Sequence, residues 1–250
     1  MIKLVNGDCV DVLKSIHANS IDLTVTSPPY DSLRTYDGLS FDKFKLIAND
    51  LFRVTKEGGV IVWIVGDSTI KGSESGTSFK QALYFKECGF NLHDTMIYQK
   101  AVCSFPDTNR YYQGFEYMFI LTKGKLKTFN PIKDRINKSA GRTVTGTVRN
   151  KDGTTSPKVC LGNEIKKMGV RFNVWLITEG KRQSEHPAVF PEALVRDHIM
   201  SWSNEGDTIL DPFMGSGTTG KMALALNRKF IGIEKDDKYF EIAKHRIENA

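Results

Sequence analysis

Apolar positions recur along this chain at two spacings. Short apolar-rich segments at 21–25, 60–65, 208–210 and 230–234 have the length of buried strands and are too short for helices. Between them apolar residues fall three and four apart, as in Val10, Leu13 and Ile16, or Phe44, Ile47, Leu51 and Val54. This spacing predicts helices over 8–16, 41–54, 78–88, 191–201, 220–226 and 235–248. The second of these stops at Glu57-Gly58-Gly59 and the third at Gly89. Strand-like segments at 94–99 and 116–122 complete the pattern. Strands alternating with helices predict an α/β fold, a mainly parallel sheet covered on both faces.

The stretch 121–185 interrupts this order. It is rich in Gly, Thr, Ser and Asn, has no sustained period, and holds 15 Lys and Arg against 5 Asp and Glu. Its local excess of +10 is larger than the net charge of +6 on all 250 residues, which leaves −4 on the other 185. Such runs are commonly solvated surface. A basic patch on an otherwise acidic chain also suits a polyanion, nucleic acid above all. The expected organisation is one α/β domain with halves at 1–120 and 186–250 and a basic insert at 121–185.

Composition removes several classes. Apolar content of 40% and charged content of 26% are those of a globular protein, and no stretch nears the ~20 apolar residues of a membrane span. The amino terminus lacks the apolar run of a secretory signal, so a cytoplasmic protein is expected. Cys9, Cys88, Cys103 and Cys160 are scattered without a CxxC pair and away from the histidines, so reduced thiols and no metal site are expected. No cysteine stands in a Pro-Cys dipeptide, which removes one class of covalent base-modifying nucleophile and favours direct transfer.

Two loops carry candidate chemistry. Thr26-Ser27-Pro28-Pro29-Tyr30 follows the strand at 21–25. Each proline biases the residue before it toward extended geometry, so Ser27 and Pro28 are held out of the helical region. A stiff strand-end loop with a hydroxyl, outward carbonyls and an aromatic ring suits a small planar polar ligand, although a plain turn has the same signature. The second loop, Asp211-Pro212-Phe213-Met214-Gly215-Ser216-Gly217-Thr218-Thr219-Gly220, lies between a strand and a helix, where glycines let the backbone approach a nucleoside cofactor. Gly215, Gly217 and Gly220 satisfy GxGxxG, and Glu234 ends the next strand as a carboxylate able to accept both ribose hydroxyls. NAD and S-adenosylmethionine both have a ribose, and this loop alone fits either.

Taken together, the early TSPPY and the late DPFMGSGT resemble the amino-methylating DNA methyltransferases. Their order resembles the β class of that family, with the catalytic loop first, recognition region in the middle and cofactor loop last. Gly7-Asp8-Cys9, Phe115-Glu116-Tyr117, Asn173-Val174-Trp175, the stretch 186–194 and Phe230-Ile231-Gly232-Ile233-Glu234 extend the resemblance over most of the chain. The resemblance implies a Rossmann-like S-adenosylmethionine-dependent methyltransferase sheet with permuted motif order, S-adenosylmethionine as cofactor and double-stranded DNA as substrate. It places Ser27, Pro28, Pro29 and Tyr30 at the target base, and Asp211, Phe213, Gly215, Gly217 and Thr218 around the amino-acid and ribose portions of the cofactor. Glu234 would hold the ribose, Asp8 and Cys9 would meet the adenine, and His186, Pro187 and Phe190 would complete the methionine pocket. Asp8 also reads as the cap of the helix that follows it.

Within this family a serine before Pro-Pro-Tyr goes mostly with cytosine N4, and aspartate or asparagine mostly with adenine N6. The stretch 186–191 is also more like the N4 members. The expected reaction is therefore methylation of the N4 amine of a flipped-out cytosine in duplex DNA, with adenine N6 as the alternative. An RNA methyltransferase and a DNA-binding module without catalysis are further alternatives; the basic insert argues against a protein-amide substrate, and an NAD oxidoreductase would leave Ser27-Pro28-Pro29-Tyr30 and the insert without a purpose. Arg135, Arg142, Arg149, Arg171 and Arg182 are unranked candidates for DNA contacts. Related enzymes are often homodimers, and some act beside a separate cognate restriction endonuclease.

Overall fold

The computed structural model describes residues 1–29, 39–101, 109–178 and 190–249. Contacts divide the chain into two units, Met1–Asn130 with Asn173–Ala250, and Pro131–Phe172. The first unit runs through β1 (Ile2–Asn6), α1 (Cys9–Lys14), β2 (Ile21–Thr26), α2 (Phe41–Val54), β3 (Thr55–Val65), the two-residue β4 (Thr69–Ile70) and β5 (Ser73–Glu74), α3 (Thr77–Glu87), β6 (Asn91–Lys100) and β7 (Phe115–Thr122). The second unit holds β8 (Arg135–Ile136), β9 (Thr147–Arg149), β10 (Thr155–Pro157) and β11 (Met168–Gly169). The first unit then resumes with β12 (Val174–Ile177), α4 (Glu192–Trp202), β13 (Thr208–Asp211), α5 (Thr218–Ala225), β14 (Lys229–Glu234) and α6 (Asp237–Glu248).

Eight strands form one sheet in the order β1-β14-β13-β2-β3-β7-β6-β12. Only β7 runs against its neighbours. Helices α1, α2 and α3 pack as one group and α4, α5 and α6 as another, which covers the sheet on both faces as the alternation predicted. From β13 the crossover through α5 leads to β14 on one side, while from β2 the crossover through α2 leads to β3 on the other. The strand order therefore reverses between β13 and β2, and ligands of open α/β sheets bind outside the carboxyl ends at such a point.

Helix α2 has the predicted bounds because its apolar stripe meets the sheet and Ser40 caps its start, accepting from the Lys43 amide at 3.3 Å. Phe44 on that stripe is fully buried among Phe41, Trp63, Tyr84 and Phe85, with ring centroids 5.2–5.8 Å away. Strand β3 differs from expectation, beginning at Thr55 rather than at 60. Ile21 pairs with Thr55 and Leu23 with Val60, so residues 56–59 bulge out of the ladder. Gly58 takes φ +78°, and a Cβ on Gly59 would fall 3.0 Å from the Asp22 carbonyl oxygen. The glycine pair bends the strand here instead of ending it.

Two strands of the eight-stranded sheet were not foreseen, nor were the short strands outside it. The edge strand β1 has no continuous apolar run, and β12 lies within the segment expected to be insert. The insert is corrected accordingly: β12 pairs in parallel with β6 and buries Trp175 and Ile177, so the separate unit is Pro131–Phe172 rather than 121–185.

Phe44→Ala should lower unfolding free energy by about 3–5 kcal/mol, because the surrounding rings cannot close the space left behind. Urea titration followed by tryptophan fluorescence measures this, and a loss below about 1 kcal/mol would contradict the packing described.

Candidate active site

Because β1, β14, β13 and β2 are parallel neighbours, their carboxyl ends lie side by side. β1 leads into Gly7-Asp8-Cys9, β14 ends at Glu234, β13 ends at Asp211, and β2 leads into Ser27-Pro28-Pro29. Segments far apart in sequence thus share one edge, at the reversal of strand order.

Asp211 joins the two principal loops. Its buried carboxylate accepts from the Thr26 hydroxyl at 2.6 Å and from the Phe213 amide at 3.1 Å, and the Thr219 hydroxyl also donates to it. Thr219 in turn lies 3.5 Å from the Val25 carbonyl oxygen. Burial outweighs these donors and pushes the Asp211 carboxyl up to about 6. The end of β2, the end of β13 and the first turn of α5 meet at this one group.

Beyond Asp211 the chain turns tightly over the sheet edge. Gly215 and Gly217 take φ of +53° and +80°, and a Cβ on Gly217 would lie 3.0 Å from the Ala243 Cα. Gly217 also precedes α5 without any capping side chain. Thr218, the first residue of α5, is buried, and Phe213 is half-buried with its ring 6.2 Å from that of Trp63. Glu234 holds the turn from the next strand: one carboxylate oxygen accepts from the Gly215 amide at 2.8 Å and the other from the Asp236 amide at 2.9 Å. Each oxygen keeps a second lone pair for a further donor.

Asp8 caps α1, accepting from the Val10 amide at 2.9 Å, while the Gly7 amide donates to the Glu234 carbonyl at 2.9 Å. The cap reading is thus realised, at a position beside Glu234. Burial pushes the Cys9 thiol up to about 12, which leaves it protonated and unreactive near neutral pH. Ser27 is half-buried, Pro28 buried and Pro29 exposed. Phe190 is half-buried just before α4. Tyr30, Cys103, Arg182, His186 and Pro187 lie outside the described residues. In the second unit Arg135 and Arg171 are engaged by neighbouring groups, whereas Arg142 and Arg149 are exposed.

Three residues escaped the sequence reading. Thr26 and Thr219 are the partners of Asp211, and the signal for Thr26 was a threonine closing an apolar strand. Asp67 follows β3, beside β2, and its buried carboxylate accepts from the Ser75 hydroxyl at 2.9 Å, the Ser78 amide at 3.0 Å and the Ser78 hydroxyl. It anchors the start of α3, where Gly76 supplies no cap. Its signal was an acid one glycine beyond the run at 60–65.

The donor set suits a nucleoside with a charged amino-acid tail. A strand-end carboxylate with spare lone pairs stands beside a glycine turn too tight for side chains, and the uncapped first turn of α5 offers its amides. The fold and this edge are those of a Rossmann-like transferase. Over residues 21–245 the chain matches the N6/N4 methyltransferase family, described as DNA methylase, and it belongs to that family, whose members take the methyl group from S-adenosylmethionine.

Among its relatives, the orphan methyltransferase M.BamHII of Bacillus amyloliquefaciens is 58% identical over 97% of this chain and 91% of its own. The DNA adenine methyltransferase YhdJ of Escherichia coli (strain K12) is 30% identical over 99% of this chain and 83% of its own. The solved PvuII DNA methyltransferase (cytosine-N4-specific) superposes with a TM-score of 0.72 at 20% identity, covering 98% of this chain and 86% of the other, a likeness of fold.

Thr26→Val should leave the buried Asp211 carboxylate short of a donor, costing about 1–3 kcal/mol of stability, and Thr26→Ser should restore most of it. Equal denaturation midpoints for Thr26→Val and the unaltered protein would refute the link. Asp211 also makes stability depend on pH. Its pKa is about 6 in the fold against an ordinary 3.8, so its contribution is fully present below 3.8 and is lost as pH rises through 6, a span worth ~3 kcal/mol. The stability difference between the unaltered protein and Asp211→Asn should therefore grow in favour of the former as pH falls from 8 to 4. A difference that stays constant with pH would show that this carboxyl is not held as described.

Proposed function

We propose that this DNA methyltransferase transfers a methyl group to the exocyclic N4 amine of a cytosine turned out of duplex DNA. The observation that carries this reading is the side chain before Pro28-Pro29: a serine, on a stiff loop tied through Thr26 to Asp211 of the cofactor turn. The Pro28 carbonyl accepts a hydrogen bond from the exocyclic amine, the Ser27 hydroxyl accepts from the amine or donates to the adjacent ring nitrogen, and Tyr30 stacks on the ring. These contacts turn the nitrogen lone pair away from conjugation with the ring. Glu234 would take the ribose hydroxyls, Asp8 and the Cys9 backbone would meet the adenine, and Asp211, Phe213, Gly215, Gly217, Thr218 and Phe190, with His186 and Pro187, would hold the rest of the cofactor.

When bound, S-adenosylmethionine supplies an electrophilic methyl on a sulfonium. The chain's own contribution is placement: it holds the amine in line, excludes water and uses neither covalent nucleophile nor metal. The bound cofactor would give up its methyl to the amine with the thioether as leaving group, and the chain's own task is to leave the methylated amine's surplus proton access to solvent. The basic unit Pro131–Phe172 contributes the DNA contacts that select the site. Adenine N6 is the second reading, favoured by the 30% identity to an adenine methyltransferase.

Incubation with S-adenosylmethionine and mixed-sequence duplex DNA, followed by digestion to nucleosides and mass analysis, should yield N4-methylcytosine. N6-methyladenine in its place would overturn the choice of base. Ser27→Ala should bind S-adenosylmethionine with unchanged affinity in calorimetry and lose at least ~100-fold in turnover; unaltered turnover would remove Ser27 from the mechanism.

A further inference from the structure

Pro131–Phe172 reads in sequence as irregular, yet its chain runs out and back as a two-stranded antiparallel ribbon. Near its base Arg135–Ile136 pairs with Met168–Gly169, and near its tip Thr147–Arg149 pairs with Thr155–Pro157, as two short antiparallel pairs with the pairing shifted in register between them. Between these, Thr143 bridges to Glu164, and backbone bonds join Ile165 N to Arg142 O at 2.9 Å and Val144 N to Asn163 O at 2.9 Å.

The tip is locked. Asn150 N donates to Thr154 O at 2.7 Å, Gly153 takes φ +85°, and the Asp152 carboxylate accepts from both the amide and hydroxyl of Thr154, at 3.0 and 2.7 Å. The Asn150 side chain donates to the Thr154 hydroxyl at 2.9 Å and accepts from the Ser156 hydroxyl at 3.1 Å. A turn tied this closely gives the adjoining strand residues fixed directions.

Charge is distributed unevenly between bound and unbound groups. The unit has 10 Lys and Arg against 3 Asp and Glu. Arg171 grips Asp134 through both Nε and Nη2, and the neighbouring guanidinium of Arg135 lies 4.5 Å from the Phe172 ring centroid while its Nε donates to Val170 O at 2.9 Å. These two arginines hold the base of the ribbon together. Arg142 and Arg149 are exposed, and no side-chain partner for either occurs among the described residues. Of these two, only Arg149 stands in a paired strand, opposite the small Thr155 and next to the locked tip.

We propose that the distal ribbon, 147–157, enters the major groove of the target DNA, with Arg149 reading a base and Arg142 and Lys151 binding phosphates. The reading rests on the DNA-binding role given to this unit above. Two strands ~4.8 Å apart with their side chains match a groove ~12 Å wide, and rows rising ~3.4 Å each reach its ~8.5 Å depth within the paired segment. A guanidinium on a rigid strand can engage guanine through two parallel hydrogen bonds, whereas a lysine on a turn acts as a point charge suited to phosphate.

The test uses the full chain and its Arg149→Ala, Arg149→Lys and Arg171→Ala variants. Methylated sites are sequenced from a pool of randomised duplexes, and binding of a short duplex is followed by fluorescence anisotropy over a range of salt. Arg149→Ala should keep its melting temperature and S-adenosylmethionine affinity, weaken binding of the preferred duplex ~10–100-fold and relax preference at one base pair. Arg149→Lys should recover affinity for unrelated duplexes without recovering that preference, and Arg171→Ala should lower the melting temperature. If Arg149→Ala binds duplex as the unaltered protein does, or methylates the same sites with the same KM, the ribbon assignment is wrong. A chain that makes N6-methyladenine while Arg149→Ala still loses selectivity would overturn the choice of base and leave this proposal standing.

Discussion

The hydrogen bond from Thr26 to Asp211 is the constraint on which the site depends. A fully buried carboxylate is costly, and its raised pKa shows that three donors do not fully offset its desolvation. That cost is concentrated where strand order reverses, and it is borne by groups from β2, β13 and α5 together. Each half of the site therefore has its position defined by the other. A shift of the loop after β2 would strip a donor from Asp211, and a shift of the turn after β13 would do the same through Phe213. Direct methyl transfer needs alignment to a fraction of an ångström, and a shared buried polar group supplies it more rigidly than apolar packing alone.

Much of this was legible in sequence for definite physical reasons. The interior strand at 60–65 is a continuous apolar run because both faces of the sheet are covered, and the strands at 21–25 and 230–234 are apolar apart from Asp22, Thr24, Gly232 and Glu234. Their helices show one apolar stripe because only one side meets the sheet, and α2 fell where its stripe and Ser40 cap indicated. Glycines at 215 and 217 marked a turn because both take positive φ, and at 217 a Cβ would also crowd Ala243. What failed were the two edge strands of the main sheet, β1 and β12. β1 sits at the sheet edge with exposed residues, and β12 is four residues long. Gly58-Gly59 looked like a stop, since a bulge and a turn use the same residue.

The site was legible as motifs, and its connections were not. Asp211 and Thr26 stood in quoted loops, but their bond requires β13 and β2 to be neighbours, a fact of sheet order that no local pattern contains. Asp67 was passed over for the same reason: its partners, Ser75 and Ser78, become a cap only after β3 and α3 are placed. For Asp8 the two readings were never in conflict, since capping α1 uses one carboxylate oxygen at a position already beside Glu234.

The ribbon obeys different rules. Ile136, Val148, Val159, Leu161, Met168 and Phe172 are exposed, so the unit is held by its backbone ladder and by polar side chains around the tip rather than by a core. A two-stranded element of this kind is marginal by itself, which explains why periodicity did not betray it: without a buried face there is no alternation to read. The same property frees its surface. Replacing an exposed residue on a strand without a core costs little stability, so the exposed residues of this unit can change while the buried carboxylate at the other unit's sheet edge stays as it is.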